Sequence, residues 1–328
     1  MRQRNLGSDG LVTSALGMGC MGLSQGYGPA DDDESVRAIR RAAELGVTMF
    51  DTAMSYGQGH NERLIGRAVA GLPWPVQVAT KFGIVRGPDG VHLDGRPEQV
   101  RGYCEASLAR LGIDVIDLYY LHRVDPQVPI ADTIGAMAEL VTEGKVRHLG
   151  VSEVTPAQLE QAVAVHPISA VEFEWSLAWR DPEDDIVPAA RRLGVGIVPY
   201  SPLGRGLLTA TLTRADVHAS DFRRSDPRFT GADLDHNLAR AAELRRVADG
   251  LGLTPGQLAL AWLLAQGPDV VPIPGSRHFD RIEQNAAAAG VRLSEAALRG
   301  IEAAVPRAAW AGDRRSFAAP ATARRQAD

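Results

Sequence analysis

Four residues with acid–base chemistry stand at or just beyond the ends of three short apolar runs. Asp51 closes VTMFD (47–51), and Tyr56 follows in the glycine-rich step of FDTAMSYGQGHNERLIG (50–66). Lys81 lies in VQVATKF (76–82), and His122 ends VIDLYYLH (115–122). A phenol, with a reference pKa of about 10, is a poor acid at neutral pH. A nearby ammonium favours the phenolate and makes the phenol a better proton donor. An aspartate paired to that ammonium holds it in place, and a histidine within reach orients a carbonyl or shares the proton. Together they form a general-acid set for reducing a carbonyl to an alcohol. The hydride must come from a cofactor, because no side chain supplies one. Singly, each has a plainer reading: Asp51 as a helix cap, Tyr56 as an interfacial core residue, His122 as a satisfied buried histidine. Lys81 stands out, because the chain uses 33 Arg but only two Lys, Lys81 and Lys145. A retained lysine points to chemistry that arginine cannot perform.

Such a set needs elements that bring three strand ends to one rim. Eight apolar runs read as strands: 14–19, 47–51, 76–82, 115–122, 146–152, 168–174, 195–201 and 270–276. The gaps hold helical patterns, such as 33–46, 97–112 and 155–166. This alternation predicts parallel strands with crossover helices. Eight units predict an α/β fold, a (β/α)8 TIM barrel within a single domain over 1–328, with its site at the C-terminal strand ends. A doubly wound sheet is the alternative, but no GxGxxG follows the first strand. Three regions lie outside the repeat. Residues 3–13 read as a β-hairpin turning near Ser8-Asp9-Gly10 and able to plug the barrel floor. Residues 203–235 read as a long loop of functional-lid type. The C-terminal extension, 306–328, is Ala/Arg-rich and expected to be loosely held.

Composition excludes several classes. A net charge of −5 and the lack of a basic arm argue against nucleic acid. The polar start MRQRNLGSDG lacks a signal-peptide core, and the run LALAWLLA (258–265) is too short to span a bilayer. Two cysteines, Cys20 and Cys104, fit a reducing cytoplasm, and no Cys/His spacing suggests a metal site. The oligomeric state is not legible.

The motifs FDTAMSYGQGHNERLIG, TKFG, YYLHRVDP, GKVRHLGVSE, VPYSPLGRGLL and PIPGSR…IEQN resemble, in order, those of the aldo-keto reductase superfamily. The likeness runs from the hairpin to about residue 290, and the wording is nearest to the bacterial and plant branch with pyridoxal-reductase-like and auxin-induced-like members. The resemblance implies Tyr56 as general acid, tuned by Lys81 and Asp51, with His122 orienting a small-molecule carbonyl substrate. It implies Tyr200 stacked on the nicotinamide, and Ser201, Leu203, Gly204 and Arg205 wrapping the pyrophosphate. Ser276, Arg277 and Arg281 match the group that holds the adenosine 2′-phosphate, and Gln284 and Asn285 match residues at the adenine. A serine and two arginines at a helix start also suit a phosphate on physical grounds, which favours NADPH/NADP+ over the NADH pair. Ser152 remains a donor for the nicotinamide carboxamide. The two amides usual there are replaced by Glu153 and Glu172, and a carboxylate cannot donate unless protonated.

Cys20, Met21, Met54 and Trp175 are candidates to line the substrate pocket, Met being adaptable, or ordinary packing residues. Two alternatives to the reductase stand beside it. One is a slow NADPH-binding redox sensor or regulatory subunit of the same fold. The other is a lyase using Lys81 as a Schiff base, which needs Lys81 unpaired and desolvated.

Overall fold

Apolar runs bounded by glycine and proline become the strands of one parallel sheet. The structure is a computed structural model describing residues 1–87, 90–216 and 220–314. A hairpin of β1 (Gln3–Leu6) and β2 (Leu11–Ser14) comes first. The barrel strands are β3 (Met18–Gly19), β4 (Met49–Asp51) and β5 (Gln77–Phe82). A second antiparallel pair, β6 (Ile84–Gly87) and β7 (Gly90–Leu93), follows β5 and was not anticipated. Then come β8 (Ile116–Leu121), β9 (Val146–Ser152), β10 (Ala170–Glu174) and β11 (Gly196–Tyr200). Their order is β11-β10-β9-β8-β5-β4-β3, parallel throughout.

The expected eighth strand closes this sheet without ladder regularity. Val271 N–H donates to Ile197 O (2.8 Å) and Ile273 N–H to Pro199 O (3.1 Å), while Pro272 O accepts from Gly17 N–H (3.0 Å). Pro272 and Pro274 lack the donors a regular strand needs. A Cβ on Gly275 would stand 2.4 Å from Gly19 O, so only glycine lets the two chain ends approach.

The helices are α1 (Asp32–Glu44), α2 (His60–Val69), α3 (Pro97–Leu111), α4 (Ile130–Thr142), α5 (Pro156–Val165), α6 (Ile186–Arg192), α7 (Gly231–Gly250), α8 (Pro255–Ala265), α9 (Phe279–Ala288) and α10 (Glu295–Ala304). Local chemistry sets their starts. Thr155 with Gln158, and Thr254 with Gln257, form reciprocal capping boxes, each with proline in the first turn. In α1 the residues Ala38, Ile39, Ala42 and Ala43 recur at helical spacing and are buried.

Two apolar layers result. One lies between sheet and helices. The other fills the barrel with Met49, Ala79, Leu118, Tyr120, Ala170, Val198, Val271 and Ile273, joined by Leu6 and Leu11 of the hairpin. The hairpin therefore plugs the barrel floor, and Asp9 in its turn holds His148 and Ser169. Among the described residues no helix is long and apolar enough to cross a membrane.

Two expectations about loops change. The described residues of 203–235 form short 3-10 turns leading into α7. Arg228 is 1% exposed and anchors it through Asp226 and through Glu174 of β10. The extension from Pro306 is packed as far as Arg314. Trp310 is buried, and Asn237 of α7 exchanges hydrogen bonds with the backbone of Ala311. The remainder of 306–328 lies outside the described residues.

Candidate active site

Parallel register brings the acid–base set together. Asp51 pairs with Ala79 and Lys81 with Tyr120 across β4, β5 and β8, which aligns their C-terminal ends. Tyr120 fits because its neighbour across β9 is Gly150, where a Cβ would lie 2.4 Å from the ring. The backbone beyond β4 is fixed by Asn61 at the start of α2. It accepts from Thr52 Oγ1 (2.6 Å) and donates to Cys20 O (2.9 Å) and Ser24 Oγ (2.7 Å). The GHNE motif thus serves architecture: Glu62 accepts from Thr80 Oγ1 (2.7 Å) and pairs with Arg110 (2.5 Å).

Lys81 is wholly buried. Its Nζ bonds Asp51 Oδ1 and Thr52 O (3.0 Å), and stands 3.4 Å from Glu172 Oε2. It also lies 5.5 Å from the centroid of the Tyr56 ring. Tyr56 and His122 meet edge to face, centroids 5.8 Å apart. Burial works against the ammonium, but Asp51 and Glu172 outweigh it and hold the Lys81 pKa above its ordinary value. Burial, then Arg123 and Lys81, hold His122 well below its usual range, so its imidazole is neutral near pH 7. Burial raises the Tyr56 pKa, and Lys81 is the main opposing influence.

Asp51, Tyr56 and His122 open onto a cleft of about 560 Å³ that runs along the C-terminal rim to α9. Of the residues expected at a cofactor, Glu172, Tyr200, Ser201, Leu203, Arg205, Ser276, Arg277, Arg281, Gln284 and Asn285 line it. Gly204 is buried beside them, with φ +55°. Glu153, Ser201 and Arg205 also have positive φ (54°, 49° and 55°), so three non-glycine residues at this rim hold a strained backbone. Helix α9 begins at the far end. Its N-cap, His278, gives no side-chain bond to the helix N–H groups, so its first turn is open to an anion.

Several expectations need correction. Ser152 is fully buried behind the residues that line the cleft and accepts from Arg123 Nη1 (3.0 Å). Arg277 donates to the carbonyl oxygens of Tyr27 (2.8 Å) and Pro29, not to open space. The Arg205 guanidinium turns away to Glu174 (3.4 Å) and the Phe222 ring (4.7 Å). Of the substrate candidates, Met21 lines the cleft, while Met54 packs on the core. Trp175 is 1% exposed, its indole between Phe173 and Trp262 and its N–H on Glu183 (3.0 Å), so it is a core residue. Cys20 is fully buried.

The cleft also contains groups the sequence reading missed. Arg123 follows His122, and Arg86 enters from β6. Tyr27 meets Phe222 edge to face at 5.4 Å, and Gly26 O accepts from Phe222 N–H (3.1 Å). Glu153 is held by Arg314 from the C-terminal extension. Arg123 was in plain view in LHRVD; nothing local marked the other contacts.

A barrel with an acid, an ammonium, a phenol and an imidazole at these strand ends defines a class. The family model of the Aldo/keto reductase family matches residues 15–306. A Glycine max protein designated Probable aldo-keto reductase 1 is 47% identical over 312 residues, covering 94% of this chain and 90% of its own. The chain belongs to the aldo/keto reductase family. Among solved structures, a glycerol dehydrogenase from Gluconobacter oxydans superposes with a TM-score of 0.85 at 31% identity, over 93% of this chain and 95% of its own. An aldo-keto reductase from Klebsiella pneumoniae in complex with NADPH superposes with a TM-score of 0.71 at 26% identity, over 93% and 96%.

Proposed function

We propose that the protein reduces an aldehyde or ketone carbonyl to an alcohol, with Tyr56 as general acid and NADPH as hydride donor. One observation carries this reading: the Tyr56 ring is flanked by the charged Lys81–Asp51 pair and the neutral His122 at the mouth of the cleft.

The residues of the cleft fit the cofactor. The open first turn of α9, with Ser276 and Arg281 beside it, suits a phosphate. Tyr200 offers a ring at the end of β11, and its hydroxyl is tied to Glu153 Oε1 (2.8 Å), which fixes the ring's tilt. When bound there, the reduced nicotinamide supplies the hydride. The chain's own residues do the rest. Neutral His122 hydrogen-bonds the substrate oxygen and orients it toward Tyr56. The Tyr56 hydroxyl gives its proton to that oxygen as negative charge develops there, and Lys81 stabilises the phenolate left behind. Asp51 keeps Lys81 charged and in position. Burial of Lys81 against Asp51 speaks against the Schiff-base alternative, which needs the lysine unpaired.

Absorbance at the reduced-nicotinamide band, followed while aldehydes are added, tests the proposal. Aldehyde-dependent oxidation that vanishes in Tyr56→Phe supports it. Tight NADPH binding without turnover across a broad panel favours the sensor alternative.

A further inference from the structure

Three nearly buried ionisable side chains meet at the cleft, Asp51 and Glu172 in its wall and Lys81 behind them. Lys81 is 0% exposed, and the side chains of Asp51 and Glu172 are 3% exposed. Lys81 Nζ touches both acids. With both ionised, the three side chains carry a net negative charge in a nearly buried site. Such a buried charge is costly, and a group able to neutralise does so instead. Asp51 Oδ2 is buried without a hydrogen-bond partner, and Glu172 Oε2 meets the Lys81 ammonium only at 3.4 Å. A single proton held between the two carboxyls, which close on the same ammonium, answers both problems.

The other groups facing Glu172 do not remove the need. Tyr120 on β8 and Tyr56 after β4 are neutral phenols whose ionisation the two acids oppose. Arg123, beyond β8, keeps its charge while donating to Ser152 Oγ and His122 O and also attracts Glu172, but less strongly than burial and the Asp51 charge oppose its ionisation.

We propose that Glu172 is a positioning residue that holds a proton against Asp51, so that the Asp51–Lys81–Glu172 cluster stays neutral and Tyr56 remains a competent acid. The inference rests on the reading of Tyr56 given above and deepens it. Burial and the Asp51 charge push Glu172 up to about 8. Above that pH a second negative charge appears beside Lys81. It opposes formation of the Tyr56 phenolate, so carbonyl reduction slows by about tenfold per pH unit, the limit for loss of one proton.

The test has two readouts on the full chain. The first is a carbon-13 NMR titration of protein labelled at its Glu and Asp carboxyls, without cofactor. The second is the pH profile of aldehyde reduction by wild type and Glu172→Gln, an isosteric change that keeps the site neutral but cannot titrate. Expected are a Glu carboxyl that stays protonated at neutral pH and is absent from Glu172→Gln, and an alkaline fall in rate that Glu172→Gln lacks. The proposal is overturned if every Glu carboxyl is ionised at neutral pH, or if Glu172→Gln keeps the alkaline limb. Should that variant not fold, the wild-type titration still decides. If the Glu172 proton is present but Tyr56→Phe turns over normally, it is the general-acid reading that fails, and the role of the proton in tuning Tyr56 fails with it.

Discussion

Arg314 grips both carboxylate oxygens of Glu153, with Nη1 at 2.7 Å and Nη2 at 2.5 Å, across 161 residues of sequence. The same guanidinium reaches the Tyr200 hydroxyl (3.1 Å) and lies 5.4 Å from the Trp179 ring centre. The C-terminal extension is thereby tied to the ends of β9 and β11, beside the ring that faces the cleft.

Arg314→Ala leaves the largely buried Glu153 without its bidentate partner and should destabilise the fold by about 1–3 kcal/mol, read as a lower urea midpoint. The pH dependence gives an independent check. Burial pushes Glu153 up, but Arg314, then Arg123 and Tyr200, outweigh it and hold it down at about 2. A depressed pKa adds stability above the ordinary value of 4.5 that is lost as pH falls toward about 2. The variant should lose that acid-side slope; an unchanged slope would show that Arg314 is not the group responsible.

Glu172 carries the opposite sign. Its pKa is raised, so its stabilising share is complete below the ordinary value of 4.5 and is lost as pH rises through about 8. Between these limits Glu172→Gln should flatten the decline of stability with pH. Parallel wild-type and variant curves would contradict the assignment.

Arg228 joins β10 to the segment ahead of α7 through Glu174 (2.6 Å) and Asp226 (2.8 Å), all buried. Arg228→Met removes one cation from between two acids and should cost about 3–5 kcal/mol. It should also expose residues 220–230 to protease before the barrel unfolds. Cleavage only on global unfolding would mean that this segment is held by other contacts.

Most of the barrel was legible because strand and helix periods alternate eight times. The strand-end rule then placed Asp51, Tyr56, Lys81 and His122 on one rim. Contacts between distant segments left no local mark. Nothing near Arg314 points to Glu153, and the burial of Trp175 depends on Trp262, far along the chain. The pair β6–β7 has a sequence signal in GPDG (87–90), whose Pro and Gly favour a reversal of the chain. Arg277, expected at the 2′-phosphate, lines the cleft, but its side chain is committed to backbone carbonyls that no motif encodes.

That commitment separates two arginines at the proposed phosphate site. Among the described residues Arg281 makes no ion pair, whereas Arg277 must first release Tyr27 O and Pro29 O. Arg281→Ala should weaken NADPH about tenfold while leaving NADH nearly unchanged, in line with loss of one charge-assisted bond. Titration by nucleotide fluorescence checks this. Equal losses for both nucleotides would remove Arg281 from the 2′-phosphate site.

The most direct test of the central claim compares wild type with Tyr56→Phe in one cuvette series, measuring both NADPH affinity and aldehyde-dependent NADPH oxidation. Loss of the phenol should leave affinity within about twofold and lower the reduction rate by about 10²–10⁴, the span of general-acid catalysis. Reduction at the wild-type rate by Tyr56→Phe would contradict the account.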